Sequence, residues 1–118
     1  MAEHAAAAAA LSDDAFLGGR LKLHQPCDGH RAGSDAVLLA AAAPADVAGL
    51  ALDVGAGVGS AGLALASLRP NLCIGLIEND ATLAKLAAEN LARNDLAGRG
   101  TVYCCDVLDS ASRERAKI

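Results

Sequence analysis

The chain has 118 residues, a net charge of −4 and a hydrophobic fraction of 53%, much of which is alanine. This length allows one domain and excludes a chain of several. The acidic balance excludes a protein that binds nucleic acid through its whole surface, although a local basic patch remains open.

The N-terminal stretch, residues 1–14, is rich in alanine and contains no Lys or Arg. It lacks the pattern of a secretory signal, and no stretch of the sequence is long and apolar enough to span a membrane. We expect residues 1–14 to be disordered or frayed and residues 15–118 to form the folded unit. We also predict a cytoplasmic protein with reduced cysteines, because their spacing fits no zinc or redox motif. The cysteines are Cys27, Cys73, Cys104 and Cys105.

A small β-hairpin is predicted near the start of the folded unit. Polar and apolar residues alternate over residues 20–24, which is typical of a half-buried strand. Turn-forming residues follow at Pro26–Gly29, and His30 and Arg31 would begin the return strand. We expect this hairpin to flank the main fold.

A short helix follows the hairpin. Ser34 is the predicted cap, Asp35–Ala40 form the helix, and Pro44 ends it. Asp35 lies in the first turn, where it interacts favourably with the helix dipole. That stabilising role is an alternative to a functional one.

Residues 50–62 are typical of a strand that turns into a helix through a glycine loop. An apolar strand, Leu50–Leu52, has Asp53 at its end. The glycines that follow are Gly55, Gly57, Gly59 and Gly62. A sharp turn needs backbone angles that glycine adopts freely, and a ligand on the loop needs a bare backbone. This order of elements is the general nucleotide-binding arrangement of α/β proteins.

Two ligands compete for this loop. Gly57, Gly59 and Gly62 fit the GxGxxG pattern of dinucleotide sites, which would indicate an NAD-dependent oxidoreductase. Asp53 argues against this, because its carboxylate would repel the pyrophosphate that a helix N-terminus otherwise favours. S-adenosylmethionine (SAM) has no phosphate, and its sulfonium and ammonium groups suit a carboxylate. We therefore predict a SAM site.

Two more strands are predicted, and an acid follows each of them. Residues 73–77 form a continuous apolar run before Glu78, as in a strand buried on both faces, and residues 101–105 precede Asp106. Right-handed crossovers make the three strands a parallel sheet, and their carboxyl ends meet at one edge. Helices are predicted over residues 60–69, 79–94 and 110–117, the last capped by Ser110.

The three acids at this edge each suit one part of SAM. Asp53 would face the methionine end, and Glu78 would accept both ribose hydroxyls, because a carboxylate offers two acceptor oxygens. Asp106 would accept from the adenine amine, with Asp109 as the alternative. The other predicted cofactor contacts are Gly55, Ala56, Gly57, Gly59, Asn79 and Val107.

Residues 14–42 and 52–66 resemble the bacterial small-domain methyltransferases, which are class I SAM-dependent enzymes. In particular they resemble the tRNA1(Val) adenine N6-methyltransferases. In that group a stretch like Gln25–Pro26 and His30–Leu39 precedes the glycine loop and shapes the pocket around the methionine end of SAM. The resemblance covers about residues 13–109. It implies a Rossmann-like fold and methyl transfer to a nucleic-acid nitrogen, such as an adenine amine in tRNA or rRNA.

The family's sheet has the strand order 3-2-1-4-5-7-6, and this sequence ends before a fourth strand. We therefore expect the N-terminal half only, with parallel strands 3-2-1 after the hairpin and helix. Related enzymes orient the target amine with an Asn-Pro-Pro-aromatic motif after the fourth strand, which this sequence lacks, so we assign no catalytic residue. We assign no metal site either. The candidate substrate contacts are Arg31 and Asp35, with Arg20, Lys22, His24 and His30 as further candidates; a hydrated hairpin face is the alternative.

The strand at residues 50–54 would be central in that family but lacks a neighbour on one side here. An apolar unpaired edge favours pairing with another chain, so we predict a homodimer through this strand. Three functions remain open: a SAM-dependent N-methyltransferase or its cofactor-binding portion, a catalytically inactive SAM-binding module, and a dinucleotide-dependent oxidoreductase.

Overall fold

The computed structural model describes residues 10–28 and 33–118 and contains two sheets, one with two strands and one with three. The strands are β1 (Leu11–Phe16), β2 (Leu21–Pro26), β3 (Gly49–Val54), β4 (Leu72–Ile77) and β5 (Gly100–Tyr103). The helices are α1 (Ser34–Ala41), α2 (Ser60–Leu68), α3 (Ala81–Arg93) and α4 (Ser110–Ala116). Two short 3-10 helices cover Leu17–Gly19 and Ala97–Arg99.

The hairpin forms with a different partner strand from the one predicted. β2 pairs antiparallel with β1, which precedes it, and the chain turns at Leu17–Gly19. Gly18 and Gly19 have φ angles of 63° and 91°, which place them in the left-handed region that glycine tolerates. The turn of the hairpin therefore lies at Leu17–Gly19 and precedes β2. β2 ends at Pro26 in a bend at Cys27 and Asp28, and Gly29 and the predicted return strand from His30 and Arg31 lie outside the described residues.

Strand β1 also corrects the predicted start of the folded unit. It begins at Leu11, within the stretch expected to be frayed, and residues 1–9 lie outside the described part. Its polar side chains have partners on both strands: within β1, Ser12 Oγ donates to Asp14 Oδ2 at 2.7 Å, and across the hairpin, Gln25 Nε2 donates to the same oxygen at 2.6 Å. These bonds stabilise a strand that has little apolar character of its own.

The larger sheet has the predicted parallel order, with β4 between β3 and β5. Alternate residues of its strands, such as Ile74 and Leu76, pack in the core against Leu63 of α2 and Leu91 of α3. Leu21 and Leu23 of β2 join the same core. The helices α2 and α3 therefore cover one face of the sheet, and the hairpin packs against these two helices.

The opposite face of the sheet is open along β3. Leu50, Leu52 and Val54 are 65%, 50% and 57% exposed, and Cys73 beside them on β4 is exposed too. The expectation that β4 is buried on both faces is confirmed except at Cys73, since Gly75 and Ile77 on the same face are buried. Cys104 is also exposed and Cys105 is buried, but both follow the end of β5 at Tyr103.

Two predicted helix caps are displaced by one residue. α1 begins at Ser34 itself, with Gly33 as its N-cap, and α4 is capped by Asp109, which accepts from Ala111 N–H at 3.1 Å. Helix α3 starts at the predicted place, since Asp80 Oδ1 accepts from Leu83 N–H at 3.0 Å. Among the described residues, none of these helices combines the length and apolar character needed to cross a bilayer.

Candidate functional site

The three predicted acids follow three neighbouring parallel strands at one edge of the sheet. Asp53 is the fifth residue of β3, Glu78 directly follows β4, and Asp106 lies three residues after β5. The Glu78 N–H donates to Tyr103 C=O at 3.0 Å, which continues the pairing of β4 with β5 past the strand end. The parallel topology thus brings the acids to one edge, as the sequence predicted.

The glycine loop between β3 and α2 needs its glycines for their backbone angles. Gly55, Gly57 and Gly59 have φ angles of 74°, 59° and 95°, all in the left-handed region. The Gly55 and Ala56 N–H groups both donate to Ile77 C=O at 2.9 Å, which pins the start of the loop to the end of β4. The loop therefore has a fixed shape next to the acids.

Asp53 joins the end of β3 to the first turn of α2. Its Oδ2 accepts from Gly62 N–H at 3.0 Å, and a Cβ at Gly62 would meet both this carboxylate and Leu76. Burial raises the pKa of Asp53 above its ordinary value of 3.8; the Gly62 N–H opposes this rise, and the charge of Glu78 adds to it. A buried carboxylate beside a second one favours a cationic ligand.

Glu78 holds the loop from the side of β4. Its Oε1 accepts from Gly57 N–H at 2.9 Å, and its Oε2 accepts from Asp80 N–H at 2.8 Å. Each carboxylate oxygen has two lone pairs, so both retain the capacity to accept from a ligand hydroxyl.

The remaining predicted contacts lie beyond β4 and β5. Asp106 Oδ1 accepts from Leu108 N–H at 3.0 Å in a local turn, and Val107 is the next residue of this loop. Asn79 C=O is 3.8 Å from Cys104 Sγ, which donates to it, so the two loops after β4 and β5 touch.

A cavity of about 520 Å³ lies between the glycine loop, the end of β2 and α1. Its lining includes five predicted site residues, which are Asp35, Asp53, Gly55, Ala56 and Gly57. Of the other predicted cofactor contacts, Gly59, Glu78, Asn79, Asp106 and Val107 lie outside this lining. Gln25 and Pro26, from the stretch that resembles the methyltransferases, form part of the hairpin wall.

The candidate substrate contacts on the hairpin lie outside the cavity lining, and two of them interact with other groups of the protein. Arg20 Nη2 donates to Ser67 C=O at 3.1 Å, and His24 Nε2 lies 3.8 Å from Asp13 Oδ2. Lys22 is exposed. Arg31 and His30 lie outside the described residues.

The sequence analysis missed Asn90 of α3, which is 0% exposed and bonds to both β2 and the glycine loop. A signal for it was present, since the apolar face of α3 contains Leu83, Leu86, Ala87 and Leu91, and Asn90 is the polar residue within that pattern. A polar residue at a buried helix position needs hydrogen-bond partners from outside the helix.

The polar groups of the loop suit a ligand that donates hydrogen bonds. The N–H groups of Gly55, Ala56, Gly57 and Gly59 already donate to protein oxygens, so they offer little to a pyrophosphate. The neighbouring carboxylates accept only. SAM presents an ammonium, ribose hydroxyls and an adenine amine, which are the donors that these acceptors fit. Among the described residues, no cluster of three His, Cys, Asp or Glu side chains is arranged to hold a metal ion.

Comparison with solved structures confirms the fold. TYW2 of P. horikoshii, solved in complex with MeSAdo, aligns with 85% of this chain and 38% of its own at a TM-score of 0.71 and 23% identity. The SAM-dependent methyltransferase of Agrobacterium tumefaciens aligns with 91% of this chain and 36% of its own, at a TM-score of 0.62 and 14% identity. The predicted Rossmann-like methyltransferase architecture is therefore correct.

Comparison with known sequences identifies the family. The family model of the methyltransferase small domain matches residues 30–118. The tRNA1(Val) (adenine(37)-N6)-methyltransferase of Enterobacter sp. (strain 638) is 36% identical over 88 residues, which are 74% of this chain and 36% of that protein. The enzyme of the same name from Bacteroides fragilis is 37% identical over 83 residues, 70% and 34% of the two chains.

This chain spans about a third of the length of these relatives. The match agrees with the prediction of a SAM-dependent methyltransferase and contradicts the dinucleotide-dependent oxidoreductase. The chain belongs to the methyltransferase small domain family, whose cofactor is SAM.

Proposed function

We propose that this chain forms the cofactor-binding portion of a SAM-dependent N-methyltransferase that acts on an adenine amine of tRNA. The observation that supports this most directly is the carboxylate of Asp53, which lines the cavity beside a glycine loop whose N–H groups are already used. A carboxylate in that position favours a positively charged ligand without a phosphate.

Each acid has a distinct role in this proposal. Asp53 binds the ammonium group of the methionine end, Glu78 accepts from the ribose hydroxyls, and Asp106 accepts from the adenine amine. Asn79 and Val107 contribute backbone groups around the adenine, and Gly59 closes the loop by donating from its N–H to Ala56 C=O at 2.9 Å. The bare backbone at Gly55 and Gly57 lets the cofactor lie close to the loop.

SAM supplies an electrophilic methyl group when it is bound. The residues of this chain contribute by holding that group in one orientation, which lowers the entropic part of the barrier to an in-line displacement. Asp53 would hold the methionine end and Glu78 the ribose, and these two contacts would fix the sulfonium that lies between them in the cofactor. Gln25 and Asp35 close the opposite wall of the cavity.

The proposed substrate follows from the relatives, which are named for the methylation of adenine in tRNA1(Val). Asp35, at the start of α1, lines the cavity and is a candidate contact for the target amine. Arg20, Lys22 and His24 of the hairpin, together with His30 and Arg31, are candidate contacts for the phosphate backbone, because such side chains bind phosphates without reading sequence. Such an enzyme would act in the cytoplasm, as the sequence predicted.

We also propose that the isolated chain forms a homodimer through β3. This strand has β4 on one side and no other strand among the described residues on the other, and Leu50, Leu52 and Val54 are exposed along it. An unpaired strand with exposed apolar side chains readily pairs with another chain.

Two measurements test the proposed function. Isothermal titration calorimetry of the chain with S-adenosylhomocysteine should detect binding, while NADH should give no heat of binding; the opposite pattern would refute the assignment. A methyl-transfer assay on bulk tRNA then separates an active enzyme from the second candidate, an inactive SAM-binding module.

A further inference from the structure

Asn90 of α3 and Asn94, the C-cap residue of that helix, bind the edge of β2 that does not pair with β1. Asn94 Oδ1 accepts from Lys22 N–H at 2.8 Å, and Asn94 Nδ2 donates to Lys22 C=O at 2.9 Å. One helical turn earlier, Asn90 makes the same pair of bonds with His24, at 2.9 and 3.0 Å. The spacings match, because four helical residues rise about 6 Å and two strand residues about 6.6 Å. The two amides thus act as a substitute for a neighbouring strand.

Asn90 makes one bond that Asn94 does not make. Its Nδ2 also donates to Val58 C=O at 3.0 Å, in the middle of the glycine loop. The preceding residue, Gly57, is held from the other side by Glu78. Two side chains from different elements therefore fix two successive residues of the loop.

Asn90 in this way connects the two walls of the cavity. Strand β2 continues from His24 to Gln25 and Pro26, which line the hairpin wall, and Val58 belongs to the loop wall. The loop contains several glycines, which impose little restriction on its backbone, so outside bonds must hold its shape. A loop that is held before the ligand arrives loses less conformational freedom on binding.

We propose that Asn90 is a positioning residue for cofactor binding, which holds the glycine loop at a fixed distance from β2. The proposal rests on the proposed function, because it assumes that the cavity binds SAM. It distinguishes Asn90 from Asn94, since both join α3 to β2 but only Asn90 reaches the loop. If both residues were purely structural, substituting either one would lower the stability of the protein and leave the cofactor affinity of the folded protein unchanged.

Calorimetry with S-adenosylhomocysteine compares the wild-type chain with Asn90→Ala and Asn94→Ala, at a temperature where circular dichroism shows all three folded. Asn90→Ala should bind about tenfold more weakly, as expected for one lost buried hydrogen bond. Asn94→Ala should stay within about twofold of wild type. Unchanged affinity in Asn90→Ala, or an equal loss in both variants, would overturn the proposal.

Hydrogen exchange, measured without ligand, tests the positioning role of Asn90 independently of the proposed function. The amides of Gly55, Ala56 and Gly59 should exchange faster in Asn90→Ala and at the wild-type rate in Asn94→Ala. Unaltered exchange in Asn90→Ala would overturn the positioning role whether or not the chain binds S-adenosylhomocysteine. A wild-type chain that does not bind it would count against the proposed function alone.

The wild-type protein gives a third readout if Asn90→Ala does not fold. The His24 amide donates to Asn90 Oδ1, and Asn90 bonds to the loop, so these amides belong to one connected unit. In native-state exchange the amides of His24, Gly55 and Ala56 should open with the same free energy. Separate openings would overturn the proposal.

Discussion

The substitution Asp53→Asn separates the charge of this side chain from its structural bond. The Asp53 carboxylate accepts from Gly62 N–H at 3.0 Å, and an amide oxygen of the same shape can accept from it too. What the substitution removes is the negative charge that faces the cavity. A hydrogen bond to a charged group contributes about 1.5–3 kcal/mol, so the affinity for S-adenosylhomocysteine should fall about 10- to 150-fold.

The same substitution should stabilise the ligand-free chain at neutral pH. Burial raises the pKa of Asp53 in the folded state above 3.8, the value in the unfolded chain. Between the unfolded and the folded pKa, the folded protein therefore binds more protons than the unfolded one. The contribution of Asp53 to stability is therefore complete below pH 3.8 and is lost as pH rises through the folded pKa. Asp53→Asn should remove this loss, so the stability of the variant relative to wild type should increase as pH rises above 3.8.

Calorimetry and urea denaturation measure the two effects, with Asp46→Asn as the matched control. Asp46 is exposed and lies outside the cavity lining, so this control changes the net charge equally and should alter neither quantity. An Asp53→Asn variant that binds S-adenosylhomocysteine as tightly as wild type would refute the role of this carboxylate. A variant less stable than wild type at pH 7 would refute the electrostatic argument.

Three further predictions concern stability and assembly. Gly62→Ala should lower the free energy of unfolding, measured by urea titration, by about 1–3 kcal/mol, because the new Cβ would overlap Leu76 Cδ2. Gly98→Ala is the control: a Cβ at this position meets no atom within 4 Å, so the free energy of unfolding should not change. Arg99→Ala should lower the free energy of unfolding in urea by about 1–3 kcal/mol, because the Arg99 guanidinium donates to main-chain carbonyls at 2.6 and 2.8 Å. A variant as stable as wild type would contradict this. Leu52→Lys should convert a dimer into a monomer in size-exclusion chromatography, and a wild-type chain that elutes as a monomer would refute the proposed dimer.

The centre of the fold could be predicted because its signals are local. The run from Leu50 to Gly62 specifies a strand, a tight turn and a helix within thirteen residues, and parallel topology then places Glu78 and Asp106 at the same edge. These predictions depend on backbone geometry and strand order, both of which can be inferred from a single sequence.

The hairpin could not be predicted in the same way, because its stability comes from distant residues. β1 contains Ser12, Asp13 and Asp14, a polar pattern that does not indicate a strand. It becomes one because Gln25 donates to Asp14 and because β2 is held on its other edge by Asn90. The exposure of Cys73 was missed for a related reason, since an apolar run does not say which of its faces another element will cover.

A crystal structure of the chain with S-adenosylhomocysteine tests the central claim most directly. The methionine end of the ligand should lie in the cavity between the glycine loop and β2, with its ammonium group on Asp53, and the ribose hydroxyls should lie on Glu78, beyond the cavity lining. An empty cavity at saturating ligand, or a pyrophosphate bound at the loop in crystals grown with NADH, would contradict the methyltransferase account.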